Sequence, residues 1–106
     1  MANNFNDVQA TISNGALTDV YTATSKTLVV SGTIANTTTT SLTITIKKMD
    51  ATTSTSFIII EDAPLIPGSA FKLPKIVLQA SDKVQVLSSD SSGNIDVNLQ
   101  LLESVG

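Results

Sequence analysis

The chain contains no histidine, cysteine, tryptophan or arginine. Each absence excludes a class of chemistry. Without His or Cys the chain lacks the side chains on which proton transfer near neutral pH and thiolate attack chiefly rely. Cysteine's absence also removes disulfides and thiolate-bound zinc. Lacking Arg, the chain has no planar fork to grip phosphate or carboxylate. Aromatics are scarce, one Tyr and three Phe, leaving little for stacking on sugar rings. The six cations are all lysine and nine acids outweigh them, giving a net charge of −3. No basic stripe for nucleic acid exists.

Long apolar runs are missing as well. The longest, Phe57-Ile58-Ile59-Ile60, falls far short of the ~20 residues that a membrane-spanning helix requires. The opening residues lack the basic cluster and apolar run of a secretory signal. A soluble protein made in the cytoplasm is expected, with no cofactor and no membrane partner.

What the chain has in abundance is serine and threonine, 28 of 106 residues. They alternate with Val, Ile and Leu at a period of two, the mark of half-buried strands, and no window sustains a helical period. β-branched threonine suits the outer, pleated face of such strands. A chain of this length forms one domain and buries about 65% of its unfolded surface without a metal or disulfide.

Val8, Ala10 and Ile12 alternate with polar residues and lead into Asn14-Gly15, a tight-turn pair that predicts a hairpin with a second strand over 16–23. Over 27–36, Leu28, Val30 and Ile34 share a face with Gly32, a glycine that suggests a bulge or a close backbone approach. Leu42, Ile44 and Ile46 alternate cleanly. Lys47-Lys48 ends that strand and reads as a guard on a sheet edge. The run Phe57–Ile60 suggests a strand buried on both faces. Residues 61–69 carry Pro64, Pro67 and Gly68 and are expected to be loop. Short strands follow at 70–73, 76–78 and 83–88, with Val84 and Val86 inward, then a turn over 89–94. A last strand places Ile95, Val97, Leu99 and Leu101 on one face. About seven to nine short strands, with turn signals every 8–12 residues, predict an all-β, single-domain antiparallel sandwich of jelly-roll or Ig-like type. The domain spans 8–106, preceded by a polar arm over 1–7.

Candidate chemistry is sparse. Glu61-Asp62 is the one adjacent acid pair, and neighbours on a strand point to opposite faces, so solvated acids are the plain reading. Asp90-Ser91-Ser92-Gly93-Asn94 offers oxygen atoms but reads as a turn, without the spacing of a calcium loop. Thr22-Ala23-Thr24-Ser25-Lys26 likewise fits a turn. No catalytic, cofactor-binding or metal-ligating residue is assigned, and the chain is expected not to be an enzyme. Phe5 stands alone in a polar segment, and either the domain or a neighbouring subunit can take it.

Four stretches together resemble a class of small tailed-bacteriophage virion proteins. They are Val20-Tyr21-Thr22-Ala23-Thr24-Ser25-Lys26-Thr27-Leu28-Val29-Val30; Ile34-Ala35-Asn36-Thr37 with the strand that follows; the corner Ala63-Pro64-Leu65-Ile66-Pro67-Gly68-Ser69-Ala70; and Ile76-Val77-Leu78-Gln79-Ala80-Ser81-Asp82-Lys83-Val84-Gln85-Val86, closed by Ile95-Asp96-Val97. Thr24 stands where such openings often carry Pro-Ala-Gly, and Ser25-Lys26 still supplies the turn.

The resemblance implies a β-sandwich subunit of the virion, assembled in the host cytoplasm. Its function would be that of a capsid decoration (cement) protein stabilising the head between capsomers. A neck or tail-associated subunit is the alternative within the class. The partners implied are copies of itself, such as a trimer, and major capsid or tail and neck proteins. A carbohydrate- or receptor-binding sandwich and a pilus or surface-layer subunit are the rivals outside it. The arm and the corner are the two irregular segments that carry apolar residues. Phe5, Pro64, Leu65, Ile66 and Pro67 are therefore the expected subunit or capsid contacts.

Overall fold

Each long strand has one aliphatic side, and two such sides must meet to leave water. The computed structural model describes residues 4–104 and shows how they do so. Nine strands form: β1 (Asn4–Ile12), β2 (Thr18–Thr22), β3 (Thr27–Asn36), β4 (Leu42–Asp50), β5 (Thr55–Leu65), β6 (Ala70–Lys72), β7 (Ile76–Leu78), β8 (Lys83–Ser88) and β9 (Ile95–Glu103). No helix occurs among the described residues. The molecule is a slab of 45 × 27 × 19 Å. Its shortest dimension holds two sheets packed roughly 10 Å apart and no third layer.

The pairing joins the first half of the chain to the second. β1 pairs with β9, β2 with β8, β3 with β6 and β7, and β4 with β5, every pair antiparallel. This is one long ribbon folded back after Asp50. Rolling it up adds the pairs β3·β9 and β4·β8, giving sheets of order β1-β9-β3-β6, with β7 also on β3, and β2-β8-β4-β5. That order is a jelly roll. Of the two sandwich types expected, the jelly roll is the one formed.

The core lies between the sheets. Val29 and Ile34 of β3, Ile44 and Ile46 of β4, Val84 and Val86 of β8, and Ile95, Val97 and Leu99 of β9 have no solvent exposure. Each such side chain stabilises the fold by about 1.5–3 kcal/mol.

Several local expectations give way to this arrangement. Asn14-Gly15 makes no hairpin, because β1 and β2 belong to different sheets and residues 13–17 cross between them. Neither residue takes the positive φ that a tight hairpin turn needs. At Gly32 the close backbone approach is found, and the bulge falls two residues earlier, at Val30. The β3·β9 register shifts between Val29 and Ser31, and an added Cβ at Gly32 would lie 2.8 Å from the Asn98 carbonyl oxygen. The bulge also reverses the facing of the residues before it. Thr27 and Val29 point inward, whereas Leu28 and Val30 turn outward, contrary to the simple alternation.

The arm expected over 1–7 is strand over Asn4–Asp7, paired with Gln100–Glu103; residues 1–3 lie outside the described residues. Residues 61–65 are likewise strand rather than loop, leaving the turn to 66–69. Pro64 is tolerated because β5 is an edge strand, where a missing N–H costs no ladder bond. The same edge position leaves Phe57 and Ile58 exposed instead of buried on both faces. Lys47 and Lys48 sit on β4, an interior strand, so they guard no edge.

Buried polar side chains fasten the ends of the sandwich. Asn36, at the crossover from β3 to β4, donates through Nδ2 to the carbonyls of Thr40 at 2.8 Å and Leu65 at 2.9 Å. Its Oδ1 accepts from the N–H and hydroxyl of Thr38. Asp82, 2% exposed, accepts from the N–H groups of Gln79 and Ala51, tying the β7–β8 turn to the β4–β5 turn. Lys48 Nζ stands 3.7 Å from its carboxylate. Burial opposes the charge on Asp82, but the two N–H groups and the ammonium together hold its carboxyl below the ordinary value. Ser88, at the β8–β9 crossover, donates to the Gly93 carbonyl at 2.7 Å. Gly93 adopts φ +73°, and a methyl there would drive into the Ile12 carbonyl.

Two predictions follow from these ties. Asn36→Ala strands the Leu65 carbonyl and the Thr38 N–H in a buried end, and should lower the unfolding free energy by about 2–3 kcal/mol in urea titration at unchanged slope. For Asp82 the folded value lies below the unfolded one near 3.9, so its contribution is present above that pH and lost as pH falls through the folded value. Wild type should therefore exceed Asp82→Asn in stability at pH 7, and the gap should close in acid-series melts below about pH 4.

Candidate interaction surface

Inward aliphatic residues are buried between the sheets, and three depressions lie on the outside, over the β1-β9-β3-β6 sheet. Among the described residues no cluster of three acids stands where a metal ion could be held. Asp90 forms the turn expected of it. Its Oδ1 accepts the Ser92 N–H at 2.9 Å and its Oδ2 the Asn94 amide at 3.1 Å, which holds its carboxyl below the ordinary value. Glu61 and Asp62 are both exposed, with Asp62 in a bulge at φ 51°.

One spacing of catalytic type is present, Ser69-Ala70-Phe71-Lys72, a Ser-x-x-Lys sequence. That chemistry needs serine and lysine one helical turn apart. Here Lys72 is on β6, so the intervening chain is extended and holds the two Cα atoms roughly 10 Å apart. The Ser69 hydroxyl is spent on the Ile66 carbonyl at 2.6 Å. The spacing serves a turn.

The outer faces carry the unusual chemistry. On the β1-β9-β3-β6 sheet, register pairs Phe5 with Leu102, Leu102 with Leu28, and Leu28 with Val77. These four side chains therefore form one apolar row across β1, β9, β3 and β7. Phe5 is 83% exposed and Val77 49%. Beside the row, Val30 in the bulge joins Phe5, Asp7 and Gln100 around a shallow depression of about 490 Å³. Beyond it the same face is polar: Asp7, Gln100 and Ser31 form the next rung, then Gln9, Asn98, Thr33 and Lys72. The row is built from the misfits of the alternation. Leu28 beside Val29 and Leu102 beside Leu101 are doublets in which only one member can be buried.

The opposite outer face belongs to the β2-β8-β4-β5 sheet. A polar chain crosses it. Ser56 donates to Gln85 Oε1 at 2.8 Å, Gln85 donates to Asp19 at 2.9 Å, and Lys83 pairs with Asp19 at 3.0 Å. The amide of Gln85 and the ammonium of Lys83 hold the Asp19 carboxyl below its ordinary value. Ile58, across from Lys47 on the free edge of β5, stands 53% exposed. Between the sheets, at the end where the apolar row lies, the Tyr21 hydroxyl donates to Glu103 Oε2 at 2.6 Å. Burial and this acceptor raise the Tyr21 pKa above its usual value.

The residues expected to form contacts are scattered. Phe5 stands beside Leu102 on the outer face and stays largely exposed. Leu65, 3% exposed, belongs to the core and is unavailable to a partner. Ile66 is 62% exposed, with Pro64 and Pro67 also exposed around the turn. This corner lies at the Asn36 end of the sandwich, and Phe5 lies at the Leu102 end, so the structure does not bring them together. Leu28, Leu102, Val77 and Ile58 are surface residues that the sequence reading missed. No protein-family model, curated protein or solved structure matches the chain.

The corner supplies a direct check on these placements. Leu65→Ala should cost about 2–4 kcal/mol through the cavity it leaves, whereas its neighbour Ile66→Ala should stay within about 0.5 kcal/mol in chemical denaturation.

Proposed function

We propose that this chain is a non-enzymatic structural subunit of a tailed-bacteriophage virion, acting as a decoration protein that joins neighbouring subunits of the head. The observation that carries the reading is the presence of apolar side chains on both outer faces, the Phe5–Val77 row on one and Ile58 on the other, outside a buried aliphatic core. A body with adhesive surfaces on two sides can bridge neighbours. Repetition over a shell multiplies weak contacts through avidity. The jelly roll by itself argues for no function, since the fold hosts many. The acidic balance and hydroxyl-rich surface would keep a densely coated particle dispersed. A neck or tail position uses the same surfaces.

Added to purified phage heads and tails, the chain should sediment with the heads and saturate in proportion to their shell subunits. Ile58→Asp should lower the bound fraction while leaving the melting temperature unchanged. Saturation on tails or necks alone would move the assignment there. Absence of binding to either particle would overturn the reading.

A further inference from the structure

The apolar row is flanked by charge in a way that singles out one occupant. Two ion pairs occur among the described residues, Lys48–Asp82 and Lys83–Asp19, and neither lies on the outer face of the β1-β9-β3-β6 sheet. That face keeps its acids on one side, Asp7 on β1 and Asp96 on β9. Its lysines stand on the other, Lys72 on β6, Lys75 just before β7, and Lys26 just before β3 beside Leu28 and Val77. Asp7 and Lys75 are both exposed, and each is two positions from an end of the row, from Phe5 and Val77 respectively.

Continuing the register one residue past Ile76 puts the two charges on one level. Asp7 pairs with Gln100, Gln100 with Ser31, and the β3·β7 ladder runs from Val77 opposite Leu28 toward Lys75 on the Ser31 side. A twofold axis lying in the interface, parallel to the strands and between β9 and β3, exchanges the two sides of this face. It sets Phe5 of one copy over Val77 of the other, Leu102 over Leu28, and Asp7 over Lys75, each contact made twice. An axis across the strands would instead stack acid on acid and lysine on lysine.

We propose that the outer face of the β1-β9-β3-β6 sheet is a self-complementary docking surface on which a second copy of this chain packs sheet to sheet about that twofold axis. Isologous pairing of this kind is the commonest route to a closed oligomer. The charges set the register, and the apolar row supplies the water-excluded centre. The inference assigns to a second copy the row that the virion reading also uses, leaving Ile58 for other neighbours; the purified chain alone tests it, and binding to particles tests the other.

Sedimentation equilibrium of the purified chain should show a dimer. Asp7→Lys and Lys75→Asp, each placing like charges together twice, should each raise the dissociation constant about tenfold or more. The double variant Asp7→Lys with Lys75→Asp should restore it to within a few-fold of wild type, a rescue that mere destabilisation of the fold would not produce. Because the chain has no cysteine, Phe5→Cys with Val77→Cys gives a second readout. Under mild oxidation it should yield covalent dimers, whereas either single variant should not. A monomer at all concentrations would overturn the proposal, as would failure of the charge swap to rescue. So would a dimer untouched by the Asp7 and Lys75 changes but lost in Ile58→Lys, which would put the interface on β5.

Discussion

The structure depends on the insertion of β8 and β9 into the middle of sheets begun by the first half of the chain. β9 pairs with both β1 and β3, and β8 with both β2 and β4. Their inward residues, Val84, Val86, Ile95, Val97 and Leu99, touch no water. Without these two strands each sheet would fall into separated pieces whose aliphatic sides have nothing to face. Contacts of such sequence separation charge the chain a large loop-closure entropy before any burial is gained. The fold is therefore of the slow, non-local kind.

A roll of this type creates crossovers at both ends, and each crossover buries backbone that no ladder satisfies. The buried polar side chains are placed at those points. Asn36 uses both faces of its amide, Asp82 gathers two N–H groups from different turns, and Ser88 closes on Gly93. No buried side-chain polar atom among the described residues lacks a partner. In a dry environment such groups fix which crossover is formed, because a misfolded alternative leaves them unpaired at a cost of roughly 1–3 kcal/mol each. The abundant hydroxyls share this work at the surface, where Thr38, Ser56 and Ser69 bond neighbouring carbonyls and amides.

Surface and interior divide the tasks. The interior spends its aliphatic residues on stability, and the unusual features lie on the outer faces. There the bulge before Gly32 is decisive. By turning Leu28 and Val30 out of the core, it completes a row that would otherwise stop at Leu102. One extra residue in β3 thus links fold to surface: the bulge at Val30 turns Leu28 outward and so carries the apolar strip across four strands.

Composition and period-two alternation determined the class of fold, the inward faces of β4, β8 and β9, and the turns at 24–26 and 89–94, because those are consequences of local chemistry. Asn14-Gly15 misled, since hairpin preference is a local tendency and β1 gains far more from its nine-residue ladder with β9. The burial of Leu65 beside an exposed Ile66, and the exposure of Phe57 and Ile58, depended on which strand became an edge. The apolar row depended on register between strands as much as 97 residues apart, Phe5 opposite Leu102. A sequence states which residues are apolar. Only the tertiary structure decides which of them share a face, because facing is set by partner, register and bulge rather than by the residue itself.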